Sequence, residues 1–153
     1  MNPDWHIRKA VAADAVQLQK CMQAAYLDYR ERMGGERLPP MEADYAVEIR
    51  DFPSWVVASK ERILGGLIMV FETGQASIAN IAVDPSFQGQ GVGGALMRFA
   101  EARAREKALS KLVLATHVLL LENIALYLHL GWQESGRQGD KVFMEKHIQL
   151  SNL

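Results

Sequence analysis

Apolar and polar positions fall into segments whose period switches several times along the chain. Trp5 to Lys9 reads as a short strand leading to Ala10-Val11. Asp14 is placed to cap a helix, and Leu18, Cys21, Met22, Ala25 and Tyr29 follow at helical spacing until Gly34-Gly35. Arg37-Leu38-Pro39-Pro40 predicts a loop with little freedom to be helical. Glu42 to Arg50 predicts a second, short helix, stopped by Pro53. The period then shortens. Trp55-Val56-Val57-Ala58, Ile63 to Phe71 and Ala76 to Val83 read as three strands. The turns Ser59-Lys60-Glu61-Arg62 and Thr73-Gly74 join them into an antiparallel meander, with Gly65-Gly66 weakening the middle strand.

A glycine-rich junction, Gln88 to Gly94, then launches a helix over Ala95 to Lys107, with Leu96, Phe99, Ala100 and Arg103 on one face. Lys111 to Thr116 is the next strand. Asn123 to Leu130 is a short helix stopped by Gly131, which suits a left-handed cap. A polar loop, Ser135 to Lys141, precedes a closing strand, Val142 to Ile148. The predicted order is β-α-α-β-β-β-α-β-α-β, in which helices interrupt a largely antiparallel sheet.

Composition narrows the class. The 153 residues suit one domain, 1–153, with its own core. A net charge of −1 argues against nucleic-acid or anionic-membrane partners. The single cysteine, Cys21, excludes an internal disulfide and fits a reducing compartment. No signal peptide and no stretch near the roughly 18 apolar residues of a membrane span is present, so a cytoplasmic location is expected. No metal ligand set is assigned.

The glycine junction carries the chemistry. Four glycines in six residues let backbone approach a ligand and aim N–H groups at an anion above a helix start. Ile63 to Met97 contains no Lys, Arg or His, so backbone dipoles are expected to supply most of the local attraction. Gly89-x-Gly91-x-x-Gly94 matches the dinucleotide fingerprint literally. That fingerprint needs its strand to run directly into the first glycine, whereas Asp84 to Gln88 intervene here. It also needs an acid at the end of the next strand, which instead ends Leu114-Ala115-Thr116-His117. A P-loop fails because no Lys-Ser or Lys-Thr follows the glycines. A tight turn that only packs helix against sheet needs one glycine, not four.

Gln88-Gly89-Gln90-Gly91-Val92-Gly93 fits Gln/Arg-x-x-Gly-x-Gly/Ala, and here the sequence resembles the GCN5-related N-acetyltransferase (GNAT) family. Asn80 to Pro85 resembles that family's fourth strand and its exit. Glu122-Asn123-Ile124-Ala125-Leu126-Tyr127 with Gly131-Trp132 resembles its second signature. The resemblance covers about Trp55 to Ile148 well, and the first fifty residues only in element order. It implies an α+β fold (α/β by some schemes): a mixed, mostly antiparallel twisted sheet of about six or seven strands, flanked by four helices.

The resemblance further implies acetyl-coenzyme A as co-substrate. Its pantetheine arm would lie along Ile81, Ala82 and Val83, and its pyrophosphate over Gln88, Gly89, Gln90, Gly91, Val92, Gly93 and Gly94. Tyr127 would protonate or hydrogen-bond the leaving sulfur, and Asn123 would bond the pantetheine or cap its helix. A phenol near pKa ~10 is a sensible partner for a thiolate near ~8.5. His117, at the end of its strand, is the candidate base. Asn80 stands where some relatives carry an acid, and an amide cannot serve as a base. Tyr26, Tyr29, Arg30 and Tyr45 are the acceptor-side candidates, for which a core or solvated role is the competing reading. The expected partner is an amine of a small molecule or peptide, with a homodimer as the family's common assembly. A non-catalytic acyl-coenzyme A sensor and, more distantly, a dinucleotide-dependent oxidoreductase are the alternatives.

Overall fold

The computed structural model describes residues 4–32, 34–35, 39–60 and 62–150. Its strands are β1 (His6–Lys9), β2 (Ser54–Ser59), β3 (Arg62–Glu72), β4 (Gln75–Val83), β5 (Lys111–His117), β6 (Gln133–Gln138) and β7 (Lys141–His147). Its helices are α1 (Ala15–Arg32), α2 (Pro39–Glu42), α3 (Tyr45–Asp51), α4 (Val92–Glu106) and α5 (Leu121–His129). The strands form one seven-stranded, mostly antiparallel sheet in the order β1-β2-β3-β4-β5-β7-β6. Among the described residues no helix is long and apolar enough to cross a membrane. The chain divides into two compact units, Met1–Met69 with Asn80–Arg98, and Val70–Ala79 with Phe99–Leu153.

The first unit is built on β3. Residues Ile63 to Met69 are buried without alternation, so both faces of the strand are covered. The two glycines that seemed to weaken the strand mark where helices press on it. A side chain on Gly66 would meet Leu18 and Met22 of α1, and one on Gly65 would meet the Ala82 carbonyl, Val92 and Leu96. Successive strand residues face opposite ways, so α1 covers one face and the start of α4 the other. Leu18, Met22, Tyr45, Val56, Ala58, Ile63, Ile68 and Ala82 form the core of this unit. At its start, the Asp14 carboxylate accepts two bonds from Arg8 (2.8 and 2.9 Å) and one from the Val11 N–H (2.8 Å). It therefore closes the turn before α1 and does not cap the helix itself.

In the second unit β5 pairs with β7 along its whole length, from Lys111↔His147 to His117↔Lys141. β4 joins β5 in parallel through Ala76↔Leu112 and Ser77↔Val113. Leu112, Leu114, Ile124, Trp132, Val142 and Met144 are buried here.

Three expectations need correction. In place of the single helix predicted over Glu42 to Arg50 stand two short ones, α2 and α3, which makes five α-helices among the described residues where four were expected. The Asp44 carboxylate interrupts them by capping α3, accepting from the N–H groups of Ala46 (3.1 Å) and Val47 (3.3 Å). Pro39 and Pro40, assigned to a loop, open α2; first-turn positions use no N–H within the helix, so proline fits there. Arg37 and Leu38 lie outside the described residues. The polar loop over Ser135 to Lys141 contains most of β6, an edge strand paired to β7 by backbone alone. Its side chains are almost all exposed, so it carries no apolar signal to read.

Candidate active site

The glycine junction begins where β4 leaves the sheet. The Asp84 N–H donates to Leu64 O (2.8 Å), and its carboxylate accepts from the Ser86 N–H (2.9 Å), turning the chain through a 3-10 turn at Pro85–Phe87. Gly89 and Gly91 then adopt φ of +84° and +82°, where a side chain would be strained. The Ala95 N–H donates to Gly91 O at 3.0 Å, the first bond of α4. The N–H groups of Val92, Gly93 and Gly94 thus precede any carbonyl of the helix that could accept them, and a glycine N-cap offers no side chain for them. Val92 is 1% exposed and packs down on β3, while Gly89, Gly91 and Gly94 are exposed. The helix starts three residues earlier than Ala95, so two of the four glycines shape the turn and two leave the first helical turn bare.

The cation-free stretch does not remain free of cations in space. Arg62 and Arg98 bracket it in sequence and both reach the junction. The Arg62 guanidinium lies 4.7 Å from the Phe87 ring centroid and 3.7 Å from the Asp84 carboxylate. Arg98 places Nη1 3.3 Å from where a Gly94 side chain would begin. Among the described residues no ion pair engages Arg98. Its signal was the four-residue spacing from Gly94 on a helix, which stacks the two positions.

On the same unit, the Tyr26 hydroxyl donates to the Ile81 carbonyl (3.3 Å), so α1 reaches the strand expected to hold the donor. Tyr29 meets Tyr26 edge to face, with centroids 5.8 Å apart. Ile81 and Val83 are half-buried and Ala82 is buried. The other two acceptor-side candidates make hydrogen bonds to backbone carbonyls close by in sequence. Arg30 Nε donates to Gly35 O (2.9 Å) at the end of α1. Tyr45 is 2% exposed, its hydroxyl donates to Pro40 O, and burial pushes its phenol pKa well up. Tyr45 is thus a core side chain in this structure, with almost no surface to offer an acceptor.

The second unit carries the remaining candidates. Asn123 and Tyr127 stand one turn apart on α5, both half-buried. The Tyr127 ring lies 5.8 Å from that of Trp132, tilted by 54°. His117 Nδ1 accepts from the Leu119 N–H (3.1 Å), and Nε2 lies 3.3 Å from the Asp140 carboxylate. Both ring nitrogens are occupied when the ring is neutral, with the proton on Nε2 facing Asp140. These two contacts hold His117 at the β5–α5 connection.

The sequence model of the Acetyltransferase (GNAT) family matches residues 18–132. The chain belongs to this family. Among curated proteins it is similar to N-acetyltransferase 8B of Rattus norvegicus, 32% identical over 89 residues that cover 54% of this chain and 40% of the relative. The Homo sapiens N-acetyltransferase 8B is 30% identical over 89 residues, covering 54% and 39%. The chain thus spans about two fifths of the length of these relatives. Among solved structures it is similar to the PaiA N-acetyltransferase from Thermoplasma acidophilum in complex with coenzyme A, with a TM-score of 0.80, 16% identity, and 94% and 98% of the two chains covered. The Escherichia coli ribosomal-protein-S18-alanine N-acetyltransferase gives 0.72 at 20% identity, covering 97% and 98%. A GNAT acetyltransferase from Elizabethkingia anophelis with acetyl-CoA bound gives 0.70 at 16% identity, covering 96% and 100%. At these identities the likeness is one of fold.

Proposed function

We propose that this GNAT protein is an acyltransferase that moves an acetyl group from acetyl-coenzyme A to a primary amine of a small molecule or peptide, by direct attack in a ternary complex. The observation that carries the reading is the start of α4: an exposed glycine turn, then three N–H groups with no helical acceptor, in a chain of this family. The cradle lacks the Cβ atoms that would fill it: a side chain on Gly89 or Gly91 would meet nothing within 4 Å, so the room above the turn is open. That arrangement fits a polyanion such as the pyrophosphate of coenzyme A. The names of the neighbours support the donor, since two of them were solved with coenzyme A or acetyl-CoA.

Each residue has a part in this proposal. Gln88 to Gly94 hold the pyrophosphate through backbone N–H groups, each charge-assisted bond contributing on the order of 1.5–3 kcal/mol. Arg98 adds a full charge over the same turn. Backbone groups of Ile81 to Val83 hold the pantetheine arm, and an N–H there polarises the thioester carbonyl. The thioester supplies the activated acyl group. Tyr127 gives its hydroxyl proton, or a hydrogen bond, to the departing sulfur. Asn123 bonds the pantetheine or caps α5. Tyr26 and Tyr29 wall the acceptor side. The amine reaches its neutral form through water, since His117 is already bonded at both nitrogens. A single chain-wide domain, a cytoplasmic location and a homodimer belong to the same proposal.

The test is a free-thiol assay with acetyl-coenzyme A against polyamines, amino acids, aminoglycosides and peptide amines. The expected result is turnover with at least one class, reduced on the order of 10²-fold in Tyr127→Phe. If no amine releases thiol and coenzyme A leaves the melting temperature unmoved, the reading fails. Binding without turnover across the panel would favour an acyl-coenzyme A sensor.

A further inference from the structure

We infer that Trp132 is a positioning residue that acts through Tyr127, so that the turn ending α5 sets the aim of the phenol. The inference rests on the reading of Tyr127 as the proton donor to sulfur. In sequence the Gly131-Trp132 pair is a stop signal, but the geometry gives it a second role. The Gly131 N–H donates to Leu128 O (3.1 Å) and the Trp132 N–H to Tyr127 O (2.9 Å). Gly131, with φ of +94°, lets the chain reverse so that these two bonds nest. This is a Schellman cap, in which the second residue past the helix end returns to the third residue from its end. Here those residues are Trp132 and Tyr127. The cap's usual apolar contact is an aromatic pair, with ring centroids 5.8 Å apart.

Trp132 therefore holds Tyr127 twice, by its carbonyl and by its ring. Trp132 is itself fixed, being 2% exposed. Tyr127 is only half-buried, and contact with the immobile indole restricts the motion of its ring. A displacement of about 1 Å at a reacting group can cost on the order of 10²-fold in rate. A ring braced on an immobile indole avoids that loss without any contact between Trp132 and substrate.

The experiment is a double-mutant cycle on turnover: wild type, Trp132→Leu, Tyr127→Phe and the double variant, with Trp132→Phe as the conservative rescue. The expected result is a fall in kcat of about 10-fold for Trp132→Leu, with KM for acetyl-coenzyme A within about twofold of wild type. Trp132→Phe should recover most of the loss. In the Tyr127→Phe background Trp132→Leu should change kcat little, because the hydroxyl it aims is gone. Fully additive losses would overturn the inference, as would a loss confined to KM. An unchanged kcat in Tyr127→Phe alone would instead overturn the proton-donor reading, so the two failures are distinguishable. Should Trp132→Leu not fold, Gly131→Ala runs the same cycle. It strains the turn that seats Trp132 against Tyr127 while removing neither aromatic side chain, and additive losses there would overturn the inference equally.

Discussion

Gly65→Ala is the substitution most directly costed by the structure. The new methyl would lie 2.9 Å from the Ala82 carbonyl oxygen and 3.5 Å from Leu96 Cδ1 and Val92 Cγ1. Only the two side chains can rotate away; the carbonyl belongs to β4. That strand is tied beyond Ala82 by the Asp84 N–H to Leu64 O bond of 2.8 Å, so it cannot swing aside without losing it. Overpacking of this kind costs about 1–3 kcal/mol. Alanine returns about 0.4–1 kcal/mol by restricting the unfolded chain. At the middle of both ranges a net loss of about 1.3 kcal/mol remains, a fall in Tm of roughly 4 °C for a chain of this size. The displaced group adjoins Ile81, on the strand proposed to hold the donor, so KM for acetyl-coenzyme A should rise as well. Thermal unfolding by circular dichroism, with Gly93→Ala alongside, reads the first effect. A side chain on Gly93 meets only Val83 Cγ2, at 3.8 Å, and gains helix propensity, so that control should melt no lower than wild type. A Gly65→Ala protein as stable as wild type would refute the claim that β3 and β4 are rigidly opposed at this point.

Ala108 sits at φ +56°, in the left-handed position of the cap that ends α4. Ala108→Gly should therefore raise stability by about 1 kcal/mol, checked by denaturant melts with an unchanged m-value. Arg8's hydrogen bonds hold the Asp14 carboxyl below its ordinary pKa, against the opposing effect of burial. Stability from this pair is present at neutral pH and is lost as pH falls from the ordinary carboxylate range through the folded value. The Tm gap between wild type and Asp14→Asn should thus shrink on acidification below about pH 4, and a constant gap would count against the pair. Arg98→Ala should raise KM for acetyl-coenzyme A about 3–10-fold at low salt, with the difference fading as salt screens it. An unchanged KM and salt slope would remove Arg98 from the donor site.

What the sequence conveyed about this chain follows how each feature is encoded. β3, β4, α1 and the glycine junction before α4 were legible because burial there imposes a period or a glycine requirement, although α4 begins at Val92, three residues before the predicted start. β6 was not, because an exposed edge strand is held by backbone groups that every residue possesses. The split between α2 and α3 was missed because Asp44 could be read as a helix residue as easily as a cap. At the site, residue types and spacing argued against a dinucleotide loop and pointed to the family's glycine junction, the stretch proposed to hold pyrophosphate. They did not distinguish Tyr26 from Tyr45, because a tyrosine's spacing is the same whether its hydroxyl meets Ile81 O or Pro40 O. The occupied state of His117 was equally hidden, since Asp140 is remote from it in sequence and Leu119 contributes only its backbone.

The lone cysteine has a practical bearing on the thiol measurements. Cys21 is 3% exposed, and burial with the nearby Asp84 charge pushes its pKa up to about 12. At pH 8 a pKa near 12 leaves a thiolate fraction on the order of 10⁻⁴ in the closed protein. Folded protein therefore contributes almost no background colour to an assay that counts released coenzyme A. The same property makes Cys21 a clock. It reacts only when its surroundings open, so its slow labelling by a disulfide reagent times how often the packing around α1, the helix that also carries Tyr26, is breached, with or without donor bound.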